Sequence, residues 1–245
     1  MPLTLLASLK RGVVSGAVGG LFAGAFGFLL AEPVMDRAVD LESGRQAAAG
    51  EHTVEVFSRH TQHLGFLGAT FAVGLALGVL YGVVHHLLSR GRTSEPWAQA
   101  LRLGAGAFFG LTLVPFLRYP ANPPGVGDSA TIATRSHLWT VTLVIGLVGA
   151  CVAGLVAGGL RDRGVRPPLR QLSVAAVLVA TIALTFVLPD STDEVLAPAS
   201  LIWQFRLLSL ATLALLWGGL SVTFGLLGER EASAVPADPR ELAHS

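Results

Sequence analysis

The chain has 245 residues, of which 52% are hydrophobic and only 13% charged, with a formal net charge of +1. A soluble domain carries about a quarter charged residues, so one conventional water-surrounded core is excluded. The near-neutral balance gives no reason to expect a nucleic-acid partner, and the lone cysteine, Cys151, rules out an intrachain disulfide.

Charges are gathered into short segments between long apolar runs. A bilayer core about 30 Å thick needs roughly 20 apolar residues as helix. Six stretches meet that need in chain order, at about 12–31, 64–87, 98–117, 138–160, 169–188 and 205–227. The first, Gly12 to Ala31, is uncharged and longer than a usual signal-peptide core. Pro33 follows closely, so a retained span is expected. The third is extended backward if Arg102 snorkels to the interface. The fifth is the shortest in apolar length, Leu172 to Leu188. Alternating segments of a membrane β-barrel are absent. The expected fold class is therefore all-α, a polytopic helical membrane bundle of six spans. It forms one domain over 1–228, followed by a small, polar, proline-containing tail at 229–245 expected to be disordered.

Orientation follows from basic residues in the connections. Lys10, Arg11, Arg90, Arg92, Arg161, Arg163, Arg166, Arg170, Arg230 and Arg240 fall on one side. Arg37, Arg45, Arg59, Arg118 and Arg135 fall on the other. The excess places both termini in the cytoplasm, with three helical hairpins opening outward. Trp139 and Trp203 are expected at outer ends, Trp97 at an inner end, and Trp217 in mid-span packing.

Gly12, Gly16, Gly20 and Gly24 recur every four residues in the first span, and Gly74, Gly78 and Gly82 in the second. Gly106 and Gly110 repeat the spacing in the third, and Gly154 and Gly158 in the fourth. Lipid is as apolar as leucine, so close backbone approach at small residues is what joins helices in a bilayer. These stripes are expected to be packing faces. Surfaces sliding during transport are the sharper alternative.

No phosphate-binding loop occurs, and Gly104-Ala105-Gly106 with Gly110 is one residue too long for a dinucleotide fingerprint. No nucleophile, base and orienting acid converge, so no enzyme is expected. The polar chemistry lies in the outward segments. Were Glu51 to His63 helical, His52, Glu55, Arg59 and His63 would share one stripe, with His60 beside it. Glu32, Asp36 and Asp40 would share a face if the first helix continued beyond the membrane. With His137 at the top of the fourth span, they would ring an outward mouth. Imidazole and carboxylate suit Co²⁺, Ni²⁺ or Zn²⁺ held transiently, with no permanently bound cofactor. The candidate metal ligands are Glu32, Asp36, His52, His60, His63 and His137. An ordinary interfacial role for the same residues is the competing reading. His85 and His86 are expected as capping and interface residues at the inner face, with a role in ion release the alternative. Arg206 is expected to pair with Asp190, Asp193 or Glu194, or to snorkel, with substrate contact the lesser alternative. The segment Tyr119 to Asp128, with its prolines and glycines, is expected to be a rigid turn in which Asn122 and Asp128 shape the mouth.

Four features in order resemble the CbtA-type cobalt transporter membrane proteins, particularly their actinobacterial branch. They are Ala31-Glu32-Pro33, the histidine-bearing stretch before the second span, the loop Arg118-Tyr119-Pro120-Ala121-Asn122-Pro123-Pro124-Gly125-Val126-Gly127-Asp128, and Ala199 through Arg206. The resemblance implies cobalt uptake for corrinoid synthesis, in a multi-pass protein of the bacterial plasma membrane. It also implies a small single-span membrane partner that carries histidines. Such proteins are usually described with five spans, against six apolar runs here. Besides the lipid bilayer, a homo-oligomer is an open arrangement. A non-transporting scaffold that holds a partner through its glycine faces, and a permease for a small solute or vitamin, are the alternative functions.

Overall fold

The computed structural model describes residues 4–50, 58–89, 95–127, 129–190 and 197–233, with backbone alone at 60 and 129. The elements are α1 (Leu5–Phe26), a π turn (Gly27–Ala31), α2 (Glu32–Ala48), α3 (Arg59–Ser89), α4 (Pro96–Phe108), a second π turn (Phe109–Leu113), α5 (Val114–Arg118), a 3₁₀ turn (Ser129–Thr131), α6 (Ile132–Asp162), α7 (Pro167–Thr185) and α8 (Ala199–Ser233). No strand occurs among the described residues. Among the described residues six helices are long and apolar enough to cross a membrane: Leu5–Ala48, Thr61–Ser89, Pro96–Arg118, Ile132–Asp162, Pro167–Thr185 and Ala199–Ser233. The chain is an all-α, multi-pass membrane protein.

Several boundaries differ from the sequence expectation. The first helix does not stop at Ala31 but runs on through α2 to Ala48. The fifth stops at Thr185, short of 188, and Phe186, Val187 and Leu188 close turns onto Ala183, Leu184 and Thr185. Pro189 is the reason, since the residue before a proline is pushed out of the helical region. The sixth continues to Ser233, so the start of the expected tail at 229 is corrected. Its first five residues are helical, and 234–245 lie outside the described residues.

Both π turns precede a proline, Pro33 and Pro115. Proline cannot donate to the carbonyl four residues back and its ring crowds it. The helix accommodates this by widening: the Glu32 and Val114 N–H groups bond to the carbonyls of Gly27 and Phe109, five residues back. Such widened turns recur at functional sites, and the first ends directly at Glu32.

The chain divides into two compact units. One comprises Met1–Phe22, Ala69–Gly104 and Leu216–Ser245. Within it α1 lies against α3 along a glycine seam. A Cβ added to Gly74 would stand 2.5 Å from the Gly16 carbonyl oxygen and 2.7 Å from the Gly20 Cα. One added to Gly78 would overlap the Gly12 carbonyl and stand 2.8 Å from the Gly16 Cα, and one at Gly82 would stand 2.5 Å from the Ser8 carbonyl. Gly19 meets α8 in the same way at Leu216 and Leu220. Around this seam sit Phe224, Leu220, Leu216 and Tyr81, all buried, with the Tyr81 hydroxyl donating to the Ala100 carbonyl. Trp217 is buried here, as its mid-span position suggests.

Arg11 departs from its expected place in a solvated connection. It is part of α1 and only 2% exposed, paired with Glu231 of α8 and lying over the Phe224 ring at 4.9 Å. The periodicity of α1 turns it inward with Ser8 and Ser15, which are fully buried. His85 likewise is not an interface residue. It is 1% exposed, its ring 4.7 Å from that of Phe224, and it faces the Ser89 hydroxyl.

The second unit comprises Ala23–Gly68 and Ala105–Leu215. Gly24 is buried within it. Its α6 packs on the second π turn and α5 through Gly110 and Gly146, and on α7 through Gly149 and Thr181. Two glycines expected to pack are corrected: a Cβ at Gly106 or Gly154 meets nothing within 4 Å. Gly154 follows the buried Ala153 by one residue, which on a helix is about 100° around the axis. The four-residue spacing marks a face but not whether a neighbour covers it. Trp139 and Trp203 are exposed, at 43% and 62%.

Candidate metal centre

Within the second unit, α2 is a largely polar helix that buries only a few residues. Val34 and Ala38 are buried against Leu201, Phe205 and Leu208 of α8, and Arg37 donates to Gln204 at 2.9 Å. One turn apart on another face, Glu32 and Asp36 meet the first turns of α3. Gly27 lies against the tip of the Phe66 ring, which a Cβ there would meet at 2.5 Å. The Phe28 and His63 rings then meet edge to face at 6.2 Å.

The result is a compact trio. His63 Nε2 lies 3.0 Å from Glu32 Oε2 and 3.3 Å from Asp36 Oδ1. One ligand atom from each of Glu32, Asp36 and His63 falls within a span of 4.8 Å. Glu32 is nearly buried, its side chain 11% exposed, while His63 and Asp36 are 25% and 40% exposed. The trio therefore opens to solvent on one side.

Arg59, the first residue of α3, occupies the same place. Its Nε donates to Asp36 Oδ1 at 2.9 Å, its Nη2 donates to the same oxygen and reaches Glu32 Oε2 at 3.4 Å, and its Nη1 bonds to Gln62 Oε1 at 2.5 Å.

The remaining candidates divide. His137 is exposed on α6 and is not a member of the trio, and Asp40 is exposed on α2 outside it. Of the expected ring of histidines, the described side chains bring only His63 to the carboxylates. His52 and Asp128 lie outside the described residues, as does the His60 side chain. Arg206 does not take Asp190: its Nη2 donates to Asn122 Oδ1 at 2.7 Å, tying the Pro/Gly loop to α8. Asp190 pairs instead with Arg118 at 2.5 Å, and Asp193 and Glu194 lie outside the described residues. Arg118 also donates to the Thr185 and Leu188 carbonyls, and the Tyr119 hydroxyl donates to Pro189 O at 2.6 Å. The end of α7 needs donors for its unpaired carbonyls, and Arg118 supplies them. In the sequence it shows only as one charge among five. The loop itself is non-helical, with positive φ at Gly125 and Gly127, and Gly125 stands directly over Glu42 of α2.

Hydroxyls are the other oxygen donors inside the spans. Thr142, Thr181 and Thr185 are buried and donate to their own helix carbonyls at Trp139, Val177 and Ile182. A donating hydroxyl keeps its acceptor lone pairs.

A family model described as probable cobalt transporter subunit (CbtA) matches residues 6–229. The chain belongs to the CbtA family. The match runs from α1 into the last turns of α8, so it includes both units and the trio. No curated protein and no solved structure matches the chain.

Proposed function

We propose that this CbtA chain is the membrane subunit of an uptake system for a divalent transition metal, cobalt foremost, and that Glu32, Asp36 and His63 capture the ion. The observation that carries this reading is the convergence of two carboxylate oxygens and one imidazole nitrogen within 4.8 Å. One nitrogen and two oxygens suit Co²⁺, Ni²⁺ and Zn²⁺ better than Ca²⁺ or Mg²⁺, which prefer all-oxygen sites. Three protein ligands leave coordination positions for water or for a partner's donor. That suits cargo, because closed four-ligand sites are the structural ones.

In this reading both termini are cytoplasmic, the protein sits in a bacterial plasma membrane, and the trio faces outward. The interior-negative potential then favours inward movement of a cation, by about 2.3 kcal/mol per charge per 100 mV. With no phosphate-binding loop, the chain relies on that potential, a co-transported ion or a further protein. A small histidine-bearing membrane protein is the partner expected from the family. The ion is cargo, and the chain carries no catalytic role.

The test is titration of the purified chain with Co²⁺, with radioactive cobalt uptake by cells in parallel. Glu32→Gln combined with His63→Ala is expected to weaken binding more than about a hundredfold, equivalent to about 2.8 kcal/mol, and to remove uptake above background. His137→Ala is expected to leave both unchanged. Wild-type protein that binds no cobalt, or a double variant with unaltered uptake, overturns the proposal in favour of a scaffold.

A further inference from the structure

We propose that Arg59 is a built-in competitor for the capture site, a tethered cation that leaves when the metal arrives and returns when it departs. The proposal rests on the reading of Glu32, Asp36 and His63 as that site. Its basis is atomic coincidence. The Arg59 Nη2 donates to Asp36 Oδ1, lies 3.4 Å from Glu32 Oε2 and 3.3 Å from His63 Nε2. Glu32 Oε2, Asp36 Oδ1 and His63 Nε2 also lie close to one another, in the cluster of candidate ligands. A metal ion bound by all three would need the same atoms that Nη2 now contacts, so the two cations compete for them.

Charge points the same way. Two carboxylates with Arg59 sum to −1. Two carboxylates with a divalent ion sum to zero, and both cations together would leave +1 at a partly buried glutamate where like charges are weakly screened. Exchange is the arrangement with the least uncompensated charge. Arg59 has somewhere to swing, because its Nη1 already bonds Gln62 Oε1, one turn along α3 and outside the trio.

Two consequences follow for a transporter. Apparent affinity is lowered by the fraction of time the site is held by Arg59, and release is assisted by a cation that needs no diffusion to arrive. Strong intrinsic ligands can then coexist with turnover. Monovalent ions, which bring no more charge than the guanidinium and lack its directed hydrogen bonds, are poor displacers.

The test compares Co²⁺ titrations and dissociation rates of full-length wild type, Arg59→Gln, Arg59→Lys and Arg59→Gln combined with His63→Ala. Arg59→Gln is expected to bind Co²⁺ about tenfold tighter or more and to release it correspondingly more slowly, since most affinity differences within a series appear in dissociation. Arg59→Lys, which keeps the charge without the fork of donors, is expected to fall between wild type and Arg59→Gln. It serves alone should the glutamine variant fail to fold. Adding His63→Ala is expected to abolish the gain, tying it to the same ligands. Binding by wild type that Arg59→Gln and Arg59→Lys leave equal or weaker overturns the exchange and spares the capture site. No binding by wild type or any variant removes the capture site itself.

Discussion

Gly78→Val is expected to be the most damaging single change in the first unit, leaving little chain that extracts as a folded, monodisperse species. The Gly78 Cα faces α1 so closely that the first added carbon overlaps the Gly12 carbonyl and stands 2.8 Å from the Gly16 Cα. Both obstacles are backbone, which cannot rotate aside as a side chain can. α1 and α3 would have to separate along the seam from Gly12 and Gly82 to Gly20 and Gly74, losing contacts that no hydrophobic force between helices replaces in lipid. Overpacking a tight core typically costs about 1–3 kcal/mol. Gly78→Ala should fall in that range, and valine should exceed it because its branches enlarge the same clash. Gly154→Ala, where a Cβ meets nothing, is the matched control and should stay within about 0.5 kcal/mol of wild type. Denaturation in detergent, followed by helical circular dichroism, reads all three. A Gly78→Val protein as stable as the Gly154→Ala control would mean that the seam is not a packing surface.

Glu231→Ala is expected to destabilise the same unit by removing the side-chain anion paired with the buried Arg11 guanidinium. Arg11 is 2% exposed, held by Glu231 and by the Phe224 face. Breaking a buried pair from one side typically costs about 3–5 kcal/mol, because the orphaned charge stays desolvated. The Glu231 side chain is 48% exposed, so solvent screens part of the pair. A loss of about 2–3 kcal/mol is the corresponding expectation. Replacing both partners, as Arg11→Met with Glu231→Gln, should recover most of it. Neutral pairs of similar volume avoid the desolvation cost that a buried ion pair carries. A Glu231→Ala chain that unfolds like wild type, or a double variant worse than the single one, contradicts this account. The tail boundary bears on the same experiment: residues expected to be a loose tail from 229 onward include the helical anion that neutralises Arg11.

What the sequence determined by itself was set by the solvent. Backbone in hydrocarbon must satisfy its own hydrogen bonds, so every long uncharged run had to be helical, and the six runs became six helices. Glycine at every fourth residue had to put bare backbone on one face, and the seam of Gly12, Gly16 and Gly20 with Gly74 and Gly78 uses it. The carboxylates Glu32 and Asp36 share a face because 3.6 residues per turn brings i and i+4 together. The order of motifs was enough to suggest the CbtA likeness that the match over residues 6–229 establishes.

Tertiary structure alone decided which of these faces meet. Periodicity aligns residues within one helix and is silent about the helix opposite. Glycines 106 and 154 therefore look like Gly110 and Gly146 in sequence, yet face open space. Charge pairing was likewise reassigned over distance. Arg206 reaches Asn122, Asp190 goes to Arg118, and Arg11 leaves its expected connection for Glu231, 220 residues away. At the candidate metal centre, helix geometry placed Arg59 and His63 in one stripe but could not say what that stripe would touch. It touches Glu32 and Asp36, just past the widened turn before Pro33, where Gly27 lies against the Phe66 ring of α3. Long-range contacts depend on where whole helices settle, which is a property of the packed bundle and of no single segment.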